Sequence, residues 1–138
     1  MKTLLLTRPR QQSEAFLSDC EAILGRQIPA VISPLIEITP VSFDVNLERY
    51  ESVIFTSANG VPPVAERLRG TSVATVGKKA ATLAKAAGAK VRVLGRDTAE
   101  VLSNADQLQS PALHCRGVHT HGNLAKALTD RKMATDEV

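Results

Sequence analysis

Aromatic residues are scarce in this chain of 138 residues, which has no Trp, one Tyr and three Phe. Single-stranded nucleic acids are held on aromatic platforms for successive bases, and this sequence cannot supply one. An excess of charge of either sign is also missing. Lys and Arg number 17 against 14 Asp and Glu, a net charge of +3 spread along the chain without a run, so there is no electrostatic footprint for a nucleic acid. Only a mild attraction for small polyanions follows from it. Cysteine is limited to Cys20 and Cys115, far apart in the chain, which reads as two free thiols in a reducing cytoplasm. Long hydrophobic runs are absent. No stretch approaches the ~20 residues of a membrane span, and residues 1–6 are too few and meet Arg8-Pro9 too soon for a secretory signal.

What is present is a hydrophobic fraction of 43%, drawn from Ala, Val, Leu and Ile. That is enough for a core, and the mixture is typical of helices packed on a parallel sheet. Residues 2–7 form a short apolar strand, and Pro9 opens a helix continued over 12–24, with Ala15, Phe16, Cys20, Ile23 and Leu24 on one face and Gly25 at its end. Residues 28–38 are extended but broken by Pro29 and Pro34, so the segment reads as a strand that leaves its sheet and runs on as a linker. The expected organisation is a strand–helix–strand fragment over 1–33, a linker over 34–40, and a nearly complete α/β domain over 41–138.

Within that domain, the apolar run 53–55, extended by Thr56, passes into Ser57-Ala58-Asn59-Gly60, a buried strand ending in a polar turn. Ser57 and Asn59 are good N-caps, and Pro62-Pro63 are tolerated where a helix has barely begun, so the turn is expected to open a helix whose bare N–H groups and dipole suit an anion. Further strands are expected at 72–76, 90–94 and 111–115, and helices at 78–87, from Asp97 or Thr98 to 105, and at 123–128. The last residues, 135–138, look like the start of one more strand, which reads as a truncated product or as a frayed polar terminus. Strand–helix alternation with short loops predicts a doubly wound parallel sheet, whose ligand side is the C-terminal edge of the strands.

The loops expected on that edge are Thr7-Arg8-Pro9, residues 56–60, Val76-Gly77-Lys78, Arg96-Asp97-Thr98 and residues 116–122. Their hydroxyls, glycines and cations are the residue types that hold carboxylates or phosphates. Each loop alone is explained by turn and cap chemistry; the shared edge is what points to function. The segment 117–122 has neither GxGxxG spacing nor a GKS or GKT, so nucleotide binding lacks support. His114, Cys115, His119 and His121 are four potential metal ligands in eight residues, but a strand sends His114 and Cys115 to opposite faces. No metal or cofactor is expected. A receiver-type signalling domain is disfavoured because Thr7-Arg8 stands where an acidic pair would hold magnesium.

Several of these motifs resemble those of the uroporphyrinogen-III synthase family. They are the strand and Arg-Pro of residues 4–9 with Gln11, the linker Pro34-Leu35-Ile36-Glu37-Ile38, the F-T-S-x-N-G-V of 55–61, the V-G turn at Val76-Gly77, and Arg116-Gly117 with Gly122-Asn123-Leu124. The resemblance implies two flavodoxin-like α/β domains, the first strand–helix unit belonging to an incomplete one. It further implies cyclisation of hydroxymethylbilane, an octacarboxylate, to uroporphyrinogen III with loss of water and inversion of the last ring, without metal or cofactor. Arg8, Thr56, Ser57, Asn59, Gly77, Lys78, Arg116 and Gly117 are the implied contacts for substrate carboxylates; no catalytic group is singled out. The chain departs from the family at Ala80, where the motif carries threonine, and Tyr50 is not the counterpart of the family's tyrosine. Two other possibilities stay open: an isolated anion-binding module without catalysis, and a homodimer through the orphaned N-terminal strand and helix.

Overall fold

In a computed structural model, which describes residues 2–120 and 122–138, the chain divides into two units, Met1–Val41 and Ser42–Val138. The first contains β1 (Leu4–Leu6), α1 (Arg10–Leu24) and β2 (Ala30–Ile32). β1 and β2 pair in parallel with Leu5 opposite Val31. α1 starts directly after Pro9, the residue expected to open it. Its first turn is built on the Arg8-Pro9 bend, where the Ser13 hydroxyl donates to the Arg8 carbonyl at 3.0 Å and the Gln12 and Ser13 N–H groups both donate to the Pro9 carbonyl. Gly25, at φ 62°, closes the helix in the left-handed conformation that glycine adopts at least cost. The periodic apolar face of α1 is not buried: Phe16, Ile23 and Leu24 are all exposed, and Ser13 is the buried residue of the helix. Helical spacing shows that apolar residues share a face; it does not show that anything covers it. The Leu35 N–H still donates to Thr7, and residues 36–46 are irregular.

The second unit carries β3 (Ser52–Phe55), β4 (Ser72–Val76), α2 (Lys78–Ala86), β5 (Lys90–Gly95), α3 (Thr98–Ser103), β6 (Ala112–Cys115), α4 (Leu124–Asp130) and β7 (Thr135–Glu137). Its five strands form one parallel sheet in the order β5-β4-β3-β6-β7. The chain winds outward from β3 to β5, then returns to the other side of β3 and winds outward again. Because crossovers of a parallel sheet are right-handed, the reversal puts the connections of the two halves on opposite faces. The packing follows. Val53, Phe55, Val73 and Leu113 meet the segment 61–68 and α2 on one face, while Ile54, Ala74, Val93 and Ala112 meet α3 and α4 on the other. This is the flavodoxin-like doubly wound architecture, with the reversal between β3 and β6.

The connection from β3 to β4 differs from expectation. In place of an α-helix it is two 3₁₀ segments, Ala58–Gly60 and Pro62–Arg67. Tandem Pro62 and Pro63 remove two consecutive N–H donors, and only short i→i+3 turns close around them, as Gly60 N–H to Ser57 O (3.2 Å) and Val61 N–H to Ala58 O (3.3 Å). The accumulated dipole of an α-helix is therefore missing behind the Ser57 turn. Elsewhere the caps are as expected. Asp97 accepts from the Glu100 N–H at 2.9 Å, and Glu100 reaches one residue beyond a capping box, to the Arg96 N–H at 2.7 Å.

Two positions generate predictions. A Cβ on Gly95 would stand 2.9 Å from both the Asp97 carbonyl and Val101 Cγ2, so Gly95→Ala should destabilise unit 2 by about 1–3 kcal/mol. Thr75 is fully buried with its hydroxyl unpartnered among the described residues. Thr75→Val keeps the shape and removes the orphan, and should stabilise by about 1 kcal/mol. Both are read as urea midpoints at constant m-value, and an unmoved midpoint in either variant would contradict the corresponding contact.

Candidate anion-binding site

In a doubly wound sheet the crevice lies at the C-terminal strand ends where the chain reverses, because the loops there diverge. In unit 2 this is the gap between β3, whose chain turns toward β4, and β6, whose chain turns toward β7. Thr56, Ser57 and Asn59 follow β3; Arg116 and Gly117 follow β6. The loops lie against each other: a Cβ on Gly60 would be 3.2 Å from the Cys115 carbonyl and 3.3 Å from the Phe55 ring. Ser57 is extended and its hydroxyl oxygen accepts from the Asn59 N–H at 3.2 Å. The turn Ala58–Gly60 packs beside α2, the helix that begins at Gly77-Lys78 after β4. Gly77, at φ 81°, precedes α2 without any side-chain cap, so the first N–H groups of that helix have no side-chain acceptor from the cap position. Lys78 is exposed beside them. Arg8 belongs to the other unit, with its guanidinium 5.8 Å from the Phe16 ring centroid.

A chain of polar contacts crosses the reversal. His114 on β6 is almost fully buried; its Nε2 lies 3.0 Å from Thr56 Oγ1 and its Nδ1 3.3 Å from Glu137 Oε1 on β7. Glu137 Oε2 accepts from Arg116 Nε at 2.9 Å. Arg116 Nη1 donates to the Gly117 carbonyl (3.1 Å) and the Thr120 hydroxyl (3.0 Å), so this arginine shapes its own loop as well as carrying charge. Burial lowers the His114 pKa below its usual 6.5, with the Arg116 charge acting in the same direction and the bond and charge of Glu137 opposing. The ring is neutral at pH 7. The order hydroxyl, imidazole, carboxylate is that of a nucleophilic triad. Here, however, Arg116 holds the carboxylate and weakens its pull on the ring, so the set is suited to fixing the polarity of Thr56 rather than activating it.

Neither His114 as a partner of Thr56 nor Glu137 was among the expected site residues. Strand alternation places His114 on the Ile54 face, but the β6–β7 register that sets Glu137 opposite it is not written in local sequence. Neighbouring residues outside the expected site behave differently. Thr82 donates to the Lys78 carbonyl at 3.0 Å and so is bound to its own helix, while Ala80 is buried beneath the first turn. Cys115 faces away from His114, and burial pushes its thiol up to about 12, which leaves it unreactive. No three His, Cys, Asp or Glu side chains converge as metal ligands among the described residues; His121 lies outside them. Tyr50 donates to Asp136 at 2.8 Å, and that bond raises its pKa. No helix of the described residues is long and apolar enough to cross a membrane.

Fold and loops together define a doubly wound α/β protein whose donor-rich edge is gathered at one reversal of the chain. The family model of uroporphyrinogen-III synthase HemD matches residues 20–138, and the chain belongs to that family. No curated protein matches the sequence. Among solved structures, uroporphyrinogen-III synthetase from Helicobacter pylori is similar in fold, with a TM-score of 0.52 at 15% identity, over 78% of this chain and 55% of that one.

The depressed His114 pKa has a consequence for stability. Between pH 6.5 and the lower folded value, the unfolded chain binds a proton that the folded chain does not, so stability declines as pH falls through this window. His114→Gln removes this term. Thermal melts from pH 7.5 to 5 should show a larger acid loss for the wild type than for the variant; parallel losses would contradict the assignment.

Proposed function

We propose that this chain is a uroporphyrinogen-III synthase polypeptide, a lyase that closes hydroxymethylbilane to uroporphyrinogen III with loss of water and inversion of the last ring, in porphyrin and heme biosynthesis. In this reading residues 1–33 are the strand–helix–strand fragment of the first domain and 41–138 the second. The observation that carries the proposal is the close approach of the β3 turn, at Gly60, to the end of β6, at Cys115, which sets Thr56-Ser57-Ala58-Asn59 and Arg116-Gly117 at the ends of paired strands in a chain of that family. A substrate with eight carboxylates needs many modest donors rather than one strong acid. The uncapped start of α2 at Gly77-Lys78 offers backbone N–H groups with a favourable dipole, Lys78 adds a full charge, and the Ser57 turn adds a hydroxyl and further N–H groups. Catalysis would be positioning and electrostatic, the loops folding the bilane so that its last ring reacts in the inverted sense.

One observation favours a second reading, an anion-binding module without catalysis: the chain covers 55% of the Helicobacter pylori protein. Incubation with fresh hydroxymethylbilane, followed by chromatographic separation of the porphyrin isomers, decides between them. Isomer I forms without enzyme, so isomer III above that background supports the synthase reading. Arg116→Ala or Lys78→Ala should then reduce kcat/KM for isomer III about tenfold, the worth of one charge-assisted hydrogen bond. Bilane binding without isomer III would leave the binding module, and neither would sink both.

A further inference from the structure

The proton positions around Thr56 follow from its partners. Glu137 is ionised against Arg116, 2.9 Å away, and a carboxylate only accepts, so the Nδ1 of His114 carries the proton directed at it. A neutral imidazole has one N–H. Nε2 is then a lone pair, and the Thr56 hydroxyl, 3.0 Å away, must donate inward to it. The oxygen of Thr56 is left presenting lone pairs to anything docking at the β3 loop. This is the wrong polarity for a carboxylate. The other groups gathered there, namely the N–H groups at the start of α2, the Lys78 ammonium and the Ser57 hydroxyl, whose oxygen is occupied by the Asn59 N–H, are donors.

We infer that carboxylate binding at the β3 loop is coupled to uptake of one proton by His114, a positioning residue that sets whether Thr56 presents an acceptor or a donor. The inference rests on the reading of these loops as a carboxylate site. A solvent proton added at Nε2 turns that atom into a donor to Thr56 Oγ1, and the hydroxyl proton rotates outward to the ligand. No covalent bond to carbon is made or broken. The imidazolium then lies between Glu137 and, through Thr56, the bound anion. Glu137 from β7 and Arg116, just after its own strand, are the charged groups acting on His114. β3 contributes only the uncharged Thr56, and the charges of α4, Lys126 and Asp130, pair with each other at 2.7 Å on the surface. The incoming anion offsets what burial and Arg116 oppose.

Sulfate tests the coupling, because it stays a dianion from pH 5 to 8 and carries no N–H. The His114 imidazole is titrated by NMR in sulfate and in chloride at matched ionic strength, with His114→Gln assigning its signal among the three histidines. Sulfate should raise the His114 pKa by about one unit and, by linkage, bind more tightly at pH 5.5 than at 7.5 by about threefold or more, about tenfold being the limit once both free and bound forms are protonated. Thr56→Val should abolish the shift while His114 still titrates. His114→Gln, whose NH2 must face the Glu137 carboxylate and leave the amide oxygen toward Thr56, locks Thr56 as an inward donor and should bind sulfate weakly and without pH dependence. Sulfate that perturbs the Ser57, Asn59 and Lys78 amides but leaves the His114 titration unmoved, or lowers it, overturns the coupling and spares the carboxylate site. No perturbation at these loops at either pH overturns both, while the synthase activity itself is decided separately by isomer III.

Discussion

The structure of the second unit depends on β3 being buried on both faces. Every residue from Ser52 to Phe55 is inaccessible, with Val53 and Phe55 in one hydrophobic layer and Ile54 in the other. A strand buried on both sides must have parallel neighbours on both edges, since its N–H and C=O groups have no water to turn to. β4 and β6 supply them. The same requirement dictates the reversal of winding, and the reversal leaves a polar opening at the strand ends.

At that opening, side chains and backbone divide the work. The backbone provides donors through the 3₁₀ turn and the uncapped start of α2, while Thr56 just after β3, His114 on β6 and Glu137 on β7 hydrogen-bond in a row from the central strand to the edge. These contacts tie the C-terminal end of the central strand to the edge strand. Such a row is short because parallel strands stand about 4.8 Å apart, so one side chain per strand reaches from β3 to β7. Arg116 completes it, and in doing so fixes the first residues of the loop after β6. The geometry of the opening and the charge state of His114 are therefore not independent.

Much of this was legible in the sequence. The order of strands and helices, the C-terminal edge and the loops on it followed from apolar runs ending in polar turns, and the family motifs lie on those loops. What could not be read has physical causes. The helix expected after Ser57 failed because two prolines outweigh two good caps. The apolar face of α1 was found by periodicity, but burial depends on a partner surface that periodicity does not contain. His114 and Glu137 are 23 residues apart and meet only through strand register, which is a tertiary property. Thr75, an ordinary β-branched strand residue, gives no sign in sequence that its hydroxyl will be enclosed alone.

β7 is the outer strand of the sheet on its side, and an outer strand offers unpaired backbone to any other chain that arrives extended. Charged side chains commonly guard such an edge. Here both acidic residues of the strand already have partners inside their own unit: Asp136 takes the Tyr50 hydroxyl, and Glu137 takes His114 and Arg116. The two carboxylates fasten the strand down rather than fend others off, so the edge is secured against fraying and left less defended against company.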